Sequence, residues 1–319
     1  MKLAILDDYQ EVALELADWT GLGDGVEITV YNDHLADEDA VAARLAPFDV
    51  LCIMRERTRF PRSLLERLPN LKLIVTSAHR NAAIDLKATA ERGITVCGTD
   101  GTADSTVEMI WTLIQAVSRD LVRADHTARA GRWQAGLRPG LDLKGSTIGL
   151  IGLGRLGARI AAIARFFGMR VLAWSENLTA ERAAECGAEL VPLEALMQQS
   201  DLVSVHLVLS KRTRGLIGAR ELGLMRPDAL FVNTARGPIV DEAALVAALR
   251  EQRIAGAALD VFDQEPLPPD HPLLALDNVI ISPHMAYVTG NTYRMFYEGM
   301  VEAVQAWRDG EPIKVLSLP

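Results

Sequence analysis

The sequence predicts an α/β protein with two doubly wound parallel sheets, each in a domain of its own. Short apolar runs alternate with amphipathic stretches along most of the chain, a pattern typical of parallel strands whose two faces are covered by helices. The runs form two successive series, separated by one long helical stretch. At 319 residues, the chain is also longer than one hydrophobic core usually accommodates.

The strands are predicted from apolar runs that are each followed by helix-like sequence. The first series consists of residues 2–7, 49–54, 71–77 and 94–99. The second series consists of residues 146–152, 169–175, 201–208, 229–235, 255–262 and 278–284. Residues 291–319 then predict an amphipathic helix and a short extended end.

The stretch between the two series, residues 105–130, predicts one unusually long helix. Asp104 or Ser105 can cap its start, and Glu108 can complete a capping box. Apolar residues, among them Trp111, recur at helical spacing and form a stripe. The stripe suits an interdomain core and a subunit interface equally well.

Composition and charge disfavour several functional classes. The net charge of −9 argues against a general binder of nucleic-acid backbones. The three cysteines form no CxxC pair, so neither a disulfide framework nor a metal site is predicted. No apolar run is long enough for a membrane span, and the run after Lys2 is too short for a signal peptide. We therefore expect a cytoplasmic protein.

A glycine-rich loop follows the first strand of the second series. Gly152, Gly154 and Gly157 have G-x-G-x-x-G spacing between a strand and a helix, which is the context of a Rossmann dinucleotide-binding unit. The three glycines would allow, in turn, a tight turn, the approach of a pyrophosphate and close helix–strand packing. Backbone N–H groups of Arg155 and Leu156 would face the phosphates. A structural turn without a ligand is the alternative.

The next strand ends at Ser175 and Glu176, where an acidic residue usually binds the ribose of the cofactor. Glu176 should repel a 2′-phosphate, and no arginine follows before Arg182. The end of this strand therefore favours NAD, and NADP is the less favoured cofactor.

Three polar side chains follow later strands of the second series: Arg236, Glu265 and His284. In doubly wound sheets, ligands bind beyond the carboxyl ends of the strands. An arginine can bind a substrate carboxylate and polarise its carbonyl, and a histidine can donate a proton to the carbonyl oxygen. A carboxylate on the other ring nitrogen would orient the imidazole and favour its charged form. This set suits hydride transfer to a 2-keto acid.

Five stretches of the chain resemble the D-isomer-specific 2-hydroxyacid dehydrogenase family. They are GLGRLG (152–157), DLVSVHLVLSKRTRGLIG (201–218), FVNTARGPIVDEAAL (231–245), ALDVFDQEPLP (258–268) and SPHMA (282–286). The resemblance implies an NAD-dependent enzyme that acts on a small D-2-hydroxy acid or 2-keto acid. It also implies that Arg236 binds the substrate, that His284 is the acid and base, and that Glu265 is its partner.

The resemblance implies that Asp260 lies against the nicotinamide end of the cofactor. Asp263 and Asp270 are then expected to be solvated charges of the loop. The remaining residues expected to line the cofactor are His206, Leu207, Thr234, Ala235, Arg236 and His284. The implied substrate-binding domain consists of residues 1–100 and 290–319, and residues 101–289 form the cofactor domain. Helix 105–130 would form the interface of a homodimer. A cleft between the two Rossmann-like domains would close over substrate.

The loop at residues 76–85 departs from the family pattern. His79 and Arg80 replace small or apolar residues and add positive charge where a substrate carboxylate would lie, next to Asn81. We expect these three residues to bind substrate together with Arg236 and His284, although Arg80 could face solvent instead. The departures leave the identity of the substrate open.

Two other functions stay open. The family includes transcriptional corepressors that keep the fold, so an NAD(H)-sensing interaction protein is the main alternative. An enzyme acting on formate or phosphite is another, which the predicted His–Glu pairing disfavours. The acidic balance disfavours the corepressor-like function.

Overall fold

The computed structural model describes residues 1–317, and the chain divides into two compact units. The N-terminal unit consists of Met1–Thr102 together with the chain from Val288 onward, and the central unit consists of Ala103–Tyr287. Within residues 1–317, no helix has both the length and the apolar character that a membrane crossing requires.

The N-terminal unit contains a five-stranded parallel sheet in the order β2-β1-β3-β4-β5. Its strands are β1 (Lys2–Ile5), β2 (Glu27–Val30), β3 (Val50–Ile53), β4 (Leu73–Thr76) and β5 (Thr95–Gly98). Its helices up to β5 are α1 (Ala13–Leu16), α2 (Glu38–Leu45), α3 (Arg62–Leu65) and α4 (Leu86–Glu91). The four predicted strands are confirmed. The sequence did not predict β2, an edge strand without a buried residue.

The central unit contains a seven-stranded parallel sheet in the order β12-β11-β10-β9-β6-β7-β8. Its strands are β6 (Thr147–Ile151), β7 (Arg170–Trp174), β8 (Glu189–Leu190), β9 (Leu202–Val205), β10 (Leu230–Asn233), β11 (Gly256–Leu259) and β12 (Val279–Ile281). Its helices are α5 (Asp104–Ser118), α6 (Leu121–Arg129), α7 (Arg155–Phe166), α8 (Ala180–Glu185), α9 (Leu193–Gln199), α10 (Ala219–Gly223) and α11 (Glu242–Arg250). The six predicted strands are confirmed, and only the two-residue β8 was not predicted. The chain order reverses between β6 and β9, which is where doubly wound sheets bind ligands.

The prediction of one long helix at residues 105–130 is wrong, because the chain forms α5 and α6 with a break between them. Asp120 has a φ of +51°, a left-handed conformation that a continuous helix does not contain. The predicted capping box is also wrong, since the residue before α5 is Ala103, whose side chain makes no capping hydrogen bond. The apolar stripe of α5, including Ile110 and Trp111, packs in the hydrophobic core of the central unit.

The last helix, α12 (Gly290–Arg308), belongs to the N-terminal unit. The hydroxyl of Thr289 caps its start by accepting from the N–H of Thr292 at 3.3 Å. Tyr297 is fully buried, and its hydroxyl donates to Asp8 at 3.2 Å. After the helix, Val315 forms an isolated bridge with Cys97. The predicted helix and extended end are therefore present up to residue 317, and residues 318–319 lie outside the described chain.

Candidate active site

The glycine-rich loop turns sharply between β6 and α7. Gly152 has a φ of +105°, and a Cβ there would lie 2.9 Å from the carbonyl group of His206. The N–H of Gly152 donates to the carbonyl of Trp174 at 2.7 Å, which joins the loop to the end of β7. A Cβ on Gly157 would lie 2.1 Å from the carbonyl oxygen of Gly152, so α7 packs directly against the turn.

Gly154 is different, because a Cβ placed on it would have no atom of residues 1–317 within 4 Å. Gly154 precedes α7 and has no side chain that could cap the helix. The first backbone N–H groups of α7, from Arg155 onward, lie at the positive end of the helix dipole. Open space at a helix start of this kind fits the pyrophosphate of a dinucleotide. Gly154 thus leaves open space at the start of α7, where the glycine spacing predicts the cofactor.

Ser175 and Glu176 follow β7 directly, beside the residue whose carbonyl accepts from Gly152. Ser175 is half-buried and Glu176 is exposed. An exposed carboxylate at this strand end is available to the ribose hydroxyls of a dinucleotide, and it disfavours an additional phosphate there.

Two polar atoms at the ends of neighbouring strands are buried without a hydrogen-bond partner among the described residues. They are Nε2 of His206, after β9, and Oγ1 of Thr234, after β10. Burial lowers the pKa of His206 to about 4, so the imidazole is neutral at pH 7. Leu207 and Ala235, the residues that follow them, are half-buried. Buried polar groups normally have partners, and a bound cofactor would supply them here.

Arg236 lies in a turn after β10 that hydrogen bonds fix from both sides. The side chain of Asn233 accepts from the N–H of Ala235 at 3.0 Å and donates to the carbonyl of Arg236 at 3.1 Å. The guanidinium of Arg236 donates to the carbonyl of Ala235 at 2.8 Å. Arg236 is half-buried, so its planar group is oriented while part of it faces the surface.

Asp260 is fully buried at the end of β11. Its carboxylate accepts from the hydroxyl of Ser282 and from the N–H groups of Met285, at 2.9 Å, and Ala286, at 3.1 Å. Burial raises the pKa of Asp260, against the lowering effect of these hydrogen bonds. The predicted direct contact of Asp260 with the cofactor stays a prediction. In the structure, the carboxylate holds the turn that carries His284.

His284 and Glu265 form a close polar pair at this edge of the sheet. Nδ1 of His284 lies 2.5 Å from Oε2 of Glu265, and the other carboxylate oxygen accepts from the N–H of Phe262 at 2.8 Å. The backbone of His284 is left-handed, with a φ of +51°. The carboxylate leaves Nε2 as the ring nitrogen that can exchange a proton with a ligand. Asp263 and Asp270, by contrast, are exposed, as expected of solvated loop charges.

The structure therefore brings together the loops after β10, β11 and β12. A Cβ on Gly237, the residue after Arg236, would lie 2.1 Å from the backbone of Phe262, so the turn of Arg236 packs on the loop of Glu265. Within residues 1–317 there is no group of three or more side chains that could hold a metal ion. The site provides an arginine, a histidine and a carboxylate for proton transfer and anion binding.

The predicted substrate residues His79, Arg80 and Asn81 belong to the N-terminal unit and differ in their surroundings. Nε2 of His79 lies 3.4 Å from a carboxylate oxygen of Asp100, and Arg80 is exposed. Asn81 is buried, and its amide donates to the carbonyl of Arg55 at 2.6 Å and accepts from the N–H of Ala83 at 2.8 Å. Asn81 thus shapes the loop, while His79 and Arg80 face outward.

Two residues beside the His284–Glu265 pair were not predicted. Glu242, at the start of α11, contacts His271 and the backbone of Asp263. The sequence signals were an acidic pair at a helix start, Asp241 and Glu242, and a histidine directly before a proline. Neither signal shows that the two side chains meet on the loop of Glu265.

Comparisons with known proteins identify relatives of this chain. The model of the D-isomer specific 2-hydroxyacid dehydrogenase family, NAD binding domain, matches residues 111–286. A glyoxylate reductase from Aeropyrum pernix is 45% identical over 237 residues, which are 72% of this chain and 71% of that protein.

Solved structures give the same result over nearly the whole chain. A phosphoglycerate oxidoreductase from Vibrio cholerae has a TM-score of 0.92 and 38% identity, with 97% of this chain and 99% of that chain covered. A D-lactate dehydrogenase from Aquifex aeolicus, complexed with NAD and lactic acid, has a TM-score of 0.80 and 26% identity, with 99% of each chain covered. The fold of this chain is thus similar to those of two enzymes named for different 2-hydroxy acids.

Proposed function

This chain belongs to the D-isomer specific 2-hydroxyacid dehydrogenase family, an NAD-dependent group of oxidoreductases, and we propose that it reduces a small 2-keto acid to the D-2-hydroxy acid. The observation that carries the proposal is the contact of 2.5 Å between His284 and Glu265 beside the turn of Arg236. We propose His284 as the acid and base, Glu265 as its partner and Arg236 as the group that binds the substrate carboxylate.

Each proposed role follows from the chemistry of the side chain. When bound, NADH would supply the hydride that reduces the carbonyl carbon of the keto acid. Nε2 of His284 donates a proton to the carbonyl oxygen, while the negative charge of Glu265 on the other ring nitrogen stabilises the imidazolium before transfer. The guanidinium of Arg236 pairs with the substrate carboxylate and polarises the carbonyl. In the oxidation direction, His284 accepts the proton.

The cofactor-binding residues fit the same proposal. The start of α7 would hold the pyrophosphate, and the exposed carboxylate of Glu176 would bind the ribose. The buried polar atoms of His206 and Thr234 would obtain partners from the bound cofactor. We propose that Glu176 makes NADH the preferred reduced cofactor. A higher kcat/KM with NADPH than with NADH would contradict this role of Glu176.

The test of the function is NADH oxidation with a panel of glyoxylate, hydroxypyruvate, pyruvate and phosphohydroxypyruvate. We expect turnover with at least one keto acid in the wild type, and its loss in His284→Ala with NADH binding retained. NADH binding without turnover on any member of the panel would contradict the dehydrogenase proposal and favour an NAD(H)-sensing interaction protein.

We also propose a homodimer formed through α6 and other exposed apolar side chains of the central unit. Leu121, Trp133 and Phe166 are 60%, 75% and 88% exposed, which is unusual for large apolar side chains. Phe167 contacts both Phe166 and Trp111, at ring-centroid distances of 5.8 and 5.0 Å. Light scattering should give about twice the chain mass of 34.8 kDa. A monomer at micromolar concentration would contradict the proposal.

A further inference from the structure

A second histidine–carboxylate pair lies on the loop that carries Glu265, between β11 and β12. Oε2 of Glu242 accepts from the backbone N–H of Asp263 at 3.1 Å, and Oε1 lies 3.0 Å from Nε2 of His271. The side chains of Glu242 and His271 are only 20% and 15% exposed. One carboxylate therefore holds the loop at two points, one on each side of Glu265.

The hydrogen bond of the second ring nitrogen shows which atom is the donor in the contact between His271 and Glu242. Nδ1 accepts from the N–H of Leu273 at 3.3 Å and so caps the short 3-10 helix Pro272–Ala275. Since a neutral imidazole has one donor and one acceptor nitrogen, the ring proton lies on Nε2 and is donated to Glu242. His271 thus links the carboxylate of Glu242 to the backbone at the far end of the loop.

The near end of the loop is confined by packing. A Cβ on Gly237 would lie 2.1 Å from the carbonyl carbon of Phe262 and 2.6 Å from the nitrogen of Asp263. The N–H of Phe262 in turn donates to Glu265 at 2.8 Å. Backbone contact fixes this end on one side, and the hydrogen bond from Asp263 to Glu242 fixes it on the other. A shift of either support would move the backbone that orients Glu265.

We propose that Glu242 and His271 are positioning residues that hold Glu265 against His284. The proposal rests on the function proposed above, and it assigns no proton or hydride transfer to Glu242 or His271. Because Glu265 and His284 are 2.5 Å apart, a loop displacement of about 1 Å would break their hydrogen bond. An ionised carboxylate suits this task, since its hydrogen bonds are about twice as strong as those of a neutral amide.

The first test compares Glu242→Gln and His271→Asn with the wild type in keto-acid reduction by NADH. Glutamine keeps the shape of Glu242 but can accept from only one of the two donors, and asparagine can still cap the 3-10 helix but does not reach Glu242. We expect kcat to fall about tenfold in both variants, with KM and the Kd of NADH changed less than about twofold.

Glu251→Gln is the matched control, because Glu251 lies at the opposite end of α11 and pairs on the surface with Arg253. An unchanged kcat in both variants would overturn the proposal.

A double-mutant cycle separates positioning from a general structural role. If Glu242 acts through Glu265, Glu242→Gln should lower kcat less than about twofold once Glu265→Gln is already present. A general loss of packing would instead lower kcat by the same factor in both backgrounds. Equal factors would overturn the proposal.

A spectroscopic readout does not depend on turnover. The ring N–H that His284 donates to Glu265 gives a downfield proton resonance, which is identified by its loss in His284→Ala. We expect this resonance to shift in Glu242→Gln and His271→Asn and to stay in place in Glu251→Gln. An unmoved resonance would overturn the positioning proposal, whereas a lack of turnover with every keto acid would contradict only the proposed function.

Discussion

The turn after β12 and the loop after β4 both carry a histidine, but they hold their polar side chains differently. The ring of His284 is bound to Glu265, and the buried carboxylate of Asp260 accepts three hydrogen bonds from the turn around it. In the loop after β4, the side chain of Asn81 makes three hydrogen bonds. The side chain of His79 is 62% exposed, and Arg80 is exposed as well.

This difference fits the proposed roles, in which the turn after β12 serves proton transfer and the loop after β4 serves substrate recognition. Proton transfer depends on sub-ångström placement, so the residues proposed for it are fixed before any ligand binds. Exposed side chains on a shaped loop can change without unfolding the loop, which suits the recognition of different acids.

The largest effect is expected from His284→Ala. Loss of a positioned acid typically costs on the order of 10²–10⁴-fold in rate, and we expect kcat for keto-acid reduction to fall within this range. The Kd of NADH, measured by fluorescence titration, should stay within about threefold because the glycine-rich loop is intact. A loss of less than tenfold in kcat would contradict the role of His284 as the acid, and with it the proposed difference in role between the two regions.

A smaller effect concerns His206, whose Nε2 is buried without a hydrogen-bond partner among the described residues. Burial lowers the pKa of His206 from 6.5 to about 4, so the unfolded chain takes up a proton before the folded chain does as the pH falls. The free energy of unfolding should therefore decrease by about 2 kcal/mol from this group between pH 7 and pH 5. Urea unfolding at both pH values measures the decrease.

A variant sharpens this test. His206→Asn should reduce the loss of stability between pH 7 and pH 5, because asparagine does not titrate in this range. A loss as large in His206→Asn as in the wild type would show that burial at the end of β9 does not control the protonation of His206.

The smallest effect is expected from Arg80→Ala. An exposed guanidinium that pairs with a substrate carboxylate contributes modestly, so we expect KM for the preferred keto acid to rise about three- to tenfold with kcat and NADH binding nearly unchanged. Asn81→Ala is the informative comparison, since it should lower the melting temperature by removing buried hydrogen bonds. An unaltered KM in Arg80→Ala would mean that this side chain only faces solvent.

The sequence predicts the strands of both sheets where burial produces continuous apolar runs, as in β3 and β4. It does not predict β2 and β8, because these edge strands contain polar residues and no buried ones. The break at Asp120 is equally hidden, since helical sequence continues on both sides of it. Local patterns record burial and periodicity, but not where a helix is interrupted by the packing of the chain.

The candidate site shows the same limit. The residue types at the ends of β10, β11 and β12 follow from the sequence, because parallel strands bring their carboxyl ends to one edge. Contacts across loops do not follow from it. The hydrogen bonds of Asp260 to the turn of His284, and of Glu242 to His271, join segments 22 to 29 residues apart. Such partners depend on the path of each loop, which neither composition nor spacing describes.

The pH dependence of Glu265→Gln tests the central claim most directly, because it asks whether the carboxylate acts on the histidine during the reaction. Glutamine preserves the shape of the side chain but removes the charge that favours the imidazolium. The measurement is kcat/KM for keto-acid reduction by NADH against pH, in the wild type and in the variant. We predict that the alkaline limb of the profile moves to lower pH in Glu265→Gln. An unmoved limb would contradict the pairing of Glu265 with His284 as the acid of the reaction.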